Sequence, residues 1–225
     1  MIKAVIFDFD GLILDTETPG YHSYRQTFEE LGAQLPLEEW AKGIGTTNSG
    51  YFHPLDYLER QIGKKVDRVF FKQQAEKKYH ILVQSMQVRP GVINYLQTAQ
   101  RFGLRIGLAS SSSRSWVESY LKKYEIYSYF HVIRTKDDVA QVKPNPELYL
   151  QALEHLGVKN SEAIVFEDSL NGLLAAKAAD IYCVIVPNPV TSQLEFLTHD
   201  LRLASMEDIG LEDIIVNITH PCEEK

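Results

Sequence analysis

The chain opens Met1-Ile2-Lys3-Ala4-Val5-Ile6-Phe7-Asp8-Phe9-Asp10-Gly11, and the reading of these residues decides the fold. Ala4-Val5-Ile6-Phe7 is apolar at every position rather than at alternate ones, the pattern of a strand buried on both faces. Asp8 and Asp10 interrupt the run before any small-residue cleavage site, so a strand fits and a clipped leader does not. Three later runs share its character: Ile106-Gly107-Leu108-Ala109, Ala163-Ile164-Val165-Phe166 and Cys183-Val184-Ile185-Val186. Helical patterns separate them. Val92 to Phe102 closes on Gly103, and Ser115 to Tyr124 precedes a tyrosine-rich turn. Pro146 to Leu156 has Asn145 as N-cap and Gly157 at its far end, and Ser169 to Ala179 follows the third run. Strands alternating with helices predict βαβ units, hence an α/β fold with a parallel sheet.

Residues from about 17 to 88 break that rhythm. Tyr21 to Leu31, Leu55 to Ile62 and Asp67 to about Ser85 carry helical patterns, and no buried strand lies among them. An all-helical stretch between the first two strands reads as an inserted cap, with Val88-Arg89-Pro90-Gly91 as the return point. The expected division is a core of residues 1–15 and 89–225 and a cap of residues 16–88, with no internal repeat.

Composition bounds the function. The 225 residues carry a net charge of −7, with 44% hydrophobic and 24% charged, the profile of a globular protein rather than a disordered one. Net acidity argues against a nucleic-acid partner. No run of 18 apolar residues offers a membrane span. Cys183 and Cys222 are too few for a disulfide framework and suit a reducing compartment. The expectation is a soluble, cytoplasmic monomer. Residues 16–88 hold nine basic and nine acidic side chains, so the charge excess belongs to the core, with 14 basic against 21 acidic. Within the cap, Arg60, Lys64, Lys65, Arg68, Lys72, Lys77 and Lys78 face only Asp67 and Glu76 in sequence; a solvated helix face is favoured over a substrate-facing patch.

The chemistry-bearing clusters fall at one end of the predicted sheet. Asp8 and Asp10 follow the first strand, Ser110-Ser111-Ser112-Ser113 the second, and Glu167-Asp168 the third, while Lys143 precedes a capped helix. The crevice beyond the carboxyl ends of parallel strands is where such folds bind ligands. Asp8-Phe9-Asp10-Gly11 alone is equally well a polar turn. Glu167-Asp168 at a second strand end tips the balance, because carboxylates crowded together repel unless a cation sits among them. Oxygen-only ligands suit Mg²⁺. The seven histidines show no zinc spacing. Serines where a strand gives way to a helix can hold phosphate oxygens, although one of them is accounted for as the N-cap. Lys143, held extended by Pro144, can balance carboxylates and phosphate alike.

Asp8-Phe9-Asp10-Gly11-Leu12-Ile13-Leu14-Asp15-Thr16-Glu17 resembles the first motif of the haloacid dehalogenase superfamily. Leu108-Ala109-Ser110-Ser111-Ser112 is similar to its second motif, Val142-Lys143-Pro144-Asn145-Pro146 to its third and Phe166-Glu167-Asp168-Ser169-Leu170-Asn171-Gly172 to its fourth. The order matches, the resemblance spans nearly the whole chain, and the helical insert resembles the small cap of the phosphatase and β-phosphoglucomutase group. The resemblance implies a Rossmann-like three-layer core with an inserted helical cap. It implies Asp8 as nucleophile, Asp10 as general acid and base, Ser110 and the Ser111 N–H as phosphoryl ligands, and Lys143 as the neutralising cation. It further implies that Asp8, the Asp10 carbonyl and Asp168 hold Mg²⁺, with Glu167 acting through water. The expected activity is hydrolysis of a small phosphorylated metabolite, such as a sugar phosphate, through an aspartyl-phosphate.

Dehalogenases of the superfamily lack the second carboxylate, so Asp10 favours phosphoryl transfer. A β-phosphoglucomutase-type phosphotransferase is the alternative. Gly20 stands where those mutases carry a cap histidine, His22 is two residues off along the helix, and Thr46-Thr47-Asn48-Ser49 replaces a cap arginine. A binding module with a relic site is opposed by the retention of every reactive residue. Gly43-Ile44-Gly45 with Gly50 lacks the strand and Lys-Ser/Thr of a nucleotide fingerprint and is expected to be a cap loop facing the site. Asn217-Ile218-Thr219 is a formal glycosylation sequon with no expected use.

Overall fold

A computed structural model describes residues 1–41 and 52–219. The glycine-bearing stretch Gly43 to Gly50, with Thr46-Thr47-Asn48-Ser49 inside it, and Cys222 lie outside the described residues. In chain order the elements are β1 (Ala4–Phe7), α1 (Glu17–Glu30), α2 (Leu37–Ala41), α3 (Pro54–Ile62), α4 (Arg68–Val83) and α5 (Val92–Arg101). They continue with β2 (Arg105–Ala109), α6 (Arg114–Lys123), β3 (Val132–Arg134), α7 (Glu147–Leu156), β4 (Ala163–Glu167), α8 (Leu170–Ala178), β5 (Tyr182–Ile185), β6 (Leu201–Arg202) and α9 (Leu211–Thr219). Asn217-Ile218-Thr219 closes α9, where Ile218 is buried.

The strands form one parallel sheet in the order β3-β2-β1-β4-β5-β6. Alternation along β1 splits the core in two. Val5 and Phe7 join a buried cluster with α5, α6 and α9, including Leu96, Val117, Leu121 and Ile214. Ala4 and Ile6 join a second with α7 and α8, including Leu148, Tyr149, Leu156 and Leu173. Helices on both faces make the three layers, and they explain why the central strands read as unbroken apolar runs. Phe7 stacks on Phe166 across the β1–β4 pair, with ring centroids 5.2 Å apart. Each such side chain, fully buried, contributes about 1.5–3 kcal/mol.

Helix limits follow side chains that satisfy the free first-turn N–H groups. Ser113 accepts from the Trp116 N–H at the start of α6, Ser169 from the Gly172 N–H at the start of α8, and Asp67 from Val69 and Phe70 at the start of α4. At α7 the expectation is displaced by one residue. The helix begins at Glu147 with Pro146 as cap, and the Asn145 side chain accepts from the Glu147 N–H.

Helices α1, α3 and α4 share a further cluster, containing Tyr21, Phe28, Leu55, Leu58 and Phe71, that among the described residues draws only Val190 from the sheet side of the molecule. The two chain crossings that lead into and out of this helical layer run side by side. Leu14 bridges Val88 in antiparallel fashion, and the Arg89 N–H donates to the Ile13 carbonyl at 2.9 Å. Three members of the basic stretch are held by acids of the same layer: Lys65 and Arg68 by Glu59, Arg68 also by Asp56, and Lys78 by Glu30. Among the described residues no helix is long and apolar enough to cross a membrane.

Candidate active site

The register of the central strands levels the site. Phe7 lies opposite Leu108 on one side and Phe166 on the other, so the next residues along β1, β2 and β4 emerge together. The backbone keeps the alignment past the strand ends. The Asp8 N–H donates to the Phe166 carbonyl at 3.0 Å, and the Ser110 N–H to the Arg134 carbonyl at 2.9 Å. The chain fills one side of the sheet with β2 and β3 before crossing to β4, so this edge is also the topological switch point.

Lys143 is the hub. It is 4% exposed, and its Nζ donates to Asp8 Oδ1, to Glu167 Oε1 at 2.6 Å and to the Ala109 carbonyl at 2.7 Å. Three donors meet three acceptors, as a buried ammonium requires. Burial alone would lower the Lys143 pKa, but Asp8 and Glu167 outweigh it and hold the side chain above its ordinary value. Glu167 is fully enclosed. It also accepts from the Tyr149 hydroxyl at 2.6 Å, from the Asp168 and Ser169 N–H groups, and from Ser169 Oγ at 3.1 Å.

Asp168 is oriented by Asn188, whose Nδ2 donates to Oδ2 at 2.7 Å. Asn188 is itself fixed by accepting from the Val190 and Thr191 N–H groups. Gly11 lies against this pair at φ +83°, and a Cβ there would overlap the Asp168 carboxylate and sit 2.8 Å from Asn188 Nδ2. Asp168 Oδ1 is buried and has no hydrogen-bond partner among the described residues. One oxygen each from Asp8, Glu167 and Asp168 lie within 4.8 Å of one another. Burial and then repulsion from Glu167 push both Asp8 and Asp168 well above the usual carboxylate range. Lys143 offsets this in part for Asp8, and Arg89 for Asp168. An orphaned carboxylate oxygen in a crowded all-oxygen cluster fits a hard divalent cation of the Mg²⁺ type.

The Asp10 carboxylate is held outside that cluster. Its Oδ1 accepts from the Trp116 indole N–H at 2.9 Å and its Oδ2 from Ser110 Oγ at 3.4 Å. Ser110 is buried and also accepts from the Ser112 N–H at 3.0 Å. Ser111 is exposed at the strand-to-helix turn, and Ser113 serves as the cap of α6. Glu17, at the start of α1, is pushed up to about 7 by burial and by Asp10 and Asp15. Arg89 spends its guanidinium on the carbonyls of Gly11, Val186 and Pro187, tying the loop after β1 to the loop after β5.

The residues expected from sequence, Asp8, Asp10, Ser110, Ser111, Lys143, Glu167 and Asp168, thus stand at one edge, with Asp8, Lys143, Glu167 and Asp168 in one buried network. Asn188, Tyr149, Trp116 and Arg89 are additional. Asn188 follows β5 in Val186-Pro187-Asn188-Pro189, so the strand-end argument applied one strand further finds it. Tyr149 and Trp116 lie on helix faces of ordinary amphipathic appearance and carry no such signal.

Carboxylates, a buried ammonium and hydroxyl donors at the carboxyl edge of a parallel sheet define an enzyme built for an anionic, oxygen-rich group. Residues 5–186 match the family model of haloacid dehalogenase-like hydrolases. The chain belongs to that family, and it is an enzyme of the family's phosphoric monoester hydrolase type. It is 52% identical over 211 residues to "Putative phosphatase YhcW" of Bacillus subtilis (strain 168), covering 94% of this chain and 95% of that protein. It is 31% identical to the "Phosphorylated carbohydrates phosphatase" of Thermotoga maritima, over 80% of this chain and 82% of the relative. The crystal structure of CbbY from Rhodobacter sphaeroides in complex with phosphate superposes with a TM-score of 0.72 at 30% identity, covering 94% of this chain and 98% of that one.

Proposed function

We propose that the chain is a Mg²⁺-dependent phosphatase that hydrolyses a small sugar phosphate through an aspartyl-phosphate on Asp8, with residues 16–88 acting as a cap. The observation that carries this reading is the network in which Lys143 joins Asp8 to Glu167 beside the unpartnered Asp168 oxygen. The Asp8 carboxylate attacks phosphorus while Asp10 gives a proton to the leaving alkoxide oxygen. Asp10 then takes a proton from the water that attacks the phosphorus, and Asp8 is released as the leaving group. Ser110 Oγ and the Ser111 N–H bind the equatorial oxygens through both steps. Lys143 holds Asp8 in line and offsets its charge.

Asp8, Asp168 and the Asp10 carbonyl would hold Mg²⁺, with Glu167 behind them through water. Bound there, the ion supplies positive charge against the phosphoryl oxygens and the crowded carboxylates. The sugar-phosphate class is supported by the carbohydrate-phosphate relative named above. Hydrolysis is favoured over phosphoryl return to a sugar because Gly20, in the first cap helix, offers no imidazole.

The test is Mg²⁺-dependent phosphate release from p-nitrophenyl phosphate, followed by a panel of phosphorylated sugars, nucleotides and small acids. Asp8→Asn is expected to remove turnover, and Ser110→Ala to lower it about 10²–10³-fold. Turnover by Asp8→Asn equal to that of the parent defeats the proposal. Efficient interconversion of β-glucose 1- and 6-phosphates would assign the mutase activity instead.

A further inference from the structure

We infer that Trp116 is the positioning residue of the acid–base Asp10, and that its indole N–H confines the transferable proton to Asp10 Oδ2. This rests on the role proposed above for Asp10. Of the two side chains among the described residues that bind the Asp10 carboxylate, Trp116 makes the shorter bond, 2.9 Å to Oδ1 against 3.4 Å from Ser110 to Oδ2. An indole N–H can only donate. Oδ1 therefore accepts from Trp116 whether Asp10 is ionised or protonated. The proton given to the leaving oxygen departs from Oδ2, and the proton later taken from water returns there. Ser110 Oγ lies 3.4 Å from Oδ2 in the free protein; once it donates its one hydrogen to the phosphoryl oxygens, Oδ2 is left to the leaving oxygen and to water.

The indole is held as a positioning group must be. Trp116 sits in the first turn of α6, where Ser113 caps its backbone N–H. The next residue, Val117, is fully buried. Arg114 ties the start of the helix to Asp138 through both carboxylate oxygens. The ring packs edge-on against Tyr120 at 4.6 Å, and Tyr120 in turn reaches Phe9, the residue between the two catalytic aspartates, at 6.5 Å. Tyr79 of α4 also stacks on the indole, with centroids 6.2 Å apart. The indole thus packs on Tyr120 of its own helix and on Tyr79 of the helical layer, and its polar atom is directed to Asp10.

Trp116→Phe keeps an aromatic ring at this position and removes the donor together with the indole's second ring; the loss of packing lowers turnover of all substrates alike, whereas the loss of the donor does not. The discriminating readout is kcat/KM across leaving groups, because general-acid help matters for a poor leaving group and little for a good one. The probes are p-nitrophenyl phosphate, phenyl phosphate and glucose 6-phosphate, with Asp10→Asn as reference. Trp116→Phe is expected to lose about 10–30-fold on phenyl phosphate and glucose 6-phosphate, and about 3-fold or less on p-nitrophenyl phosphate, a fraction of the roughly 10²–10⁴ that such catalysis supplies. An equal loss on all three, or none, overturns the inference and leaves the phosphatase reading standing. If Asp10→Asn itself shows no leaving-group dependence, the acid–base role falls and the inference with it. A second measurement keeps Trp116 in place. Its indole ¹H–¹⁵N resonance, assigned with Trp40→Phe, is expected to move in Asp10→Ala and to stay in Asp15→Asn; no movement in Asp10→Ala overturns the bond.

Discussion

Replacing Gly172 with alanine sets two rules of protein stability against each other. Gly172 occupies the first turn of α8, and alanine in a helix is favoured over glycine by about 1 kcal/mol. A Cβ built on Gly172, however, falls inside the Glu167 carboxylate. Glu167 cannot retreat freely, because it accepts five hydrogen bonds from Lys143, Tyr149, Asp168 and Ser169. Losing the charged bond to Lys143 costs about 1.5–3 kcal/mol, and one neutral bond about 0.5–1.5 more. Set against the helix gain, Gly172→Ala is expected to destabilise by about 1–3 kcal/mol. Urea unfolding of the parent, Gly172→Ala, Glu167→Ala and the double variant measures it. Once Glu167 is truncated the obstacle is gone, so Gly172→Ala should become neutral or stabilising in that background, a coupling of about 2–4 kcal/mol. The same cost in both backgrounds, or a stabilised single variant, would refute the reasoning.

Two further outcomes follow from the same network. Asp8 and Asp168 are held above their ordinary pKa values, so the stability they contribute is complete below the unfolded carboxylate pKa of about 4 and is forfeited as pH rises through their folded values. Near pH 5 Mg²⁺ must displace those protons to bind, so its thermal upshift should be small there. By pH 8 it should reach about 5–10 °C at a hundredfold excess over Kd; equal upshifts at both pH values contradict the site. Tyr149→Phe, which strips one donor from Glu167 while keeping the ring beneath Lys143 Nζ, should cost about 1–2 kcal/mol in denaturant melts and lower kcat more than it raises KM; a change confined to KM argues against it.

Burial decided what the sequence could reveal of the fold. β1, β2, β4 and β5 are covered on both faces and announce themselves as continuous apolar runs. β3 and β6 lie at the sheet edges, and β3 is only half buried along its length. Val132-Ile133-Arg134 and Leu201-Arg202 are too short and too mixed to be told from loop. The same logic governs the site. Asp8, Ser110, Glu167 and Asp168 were legible because strand ends put them at one edge. Trp116 and Tyr149 were not, because an aromatic side chain that directs its polar atom into a site looks, in sequence, like one that fills the core.

The residues at this edge are ones that local rules disfavour. Gly11 keeps a positive φ because a side chain there would occupy the space of Asp168, and Gly172 gives up helix propensity for the space of Glu167. Asp8 and Asp168 are buried at a cost that Lys143 and Arg89 only partly offset. A design for stability alone would remove these buried acids, while basic residues of the helical layer such as Lys65, Arg68 and Lys78 find acidic partners within that layer. Crowded carboxylates with one oxygen left unpartnered store repulsion that a cation relieves, and two glycines keep that geometry open. Substitutions that ease the crowding, such as Asp168→Asn, should accordingly stabilise the metal-free protein while removing its response to Mg²⁺.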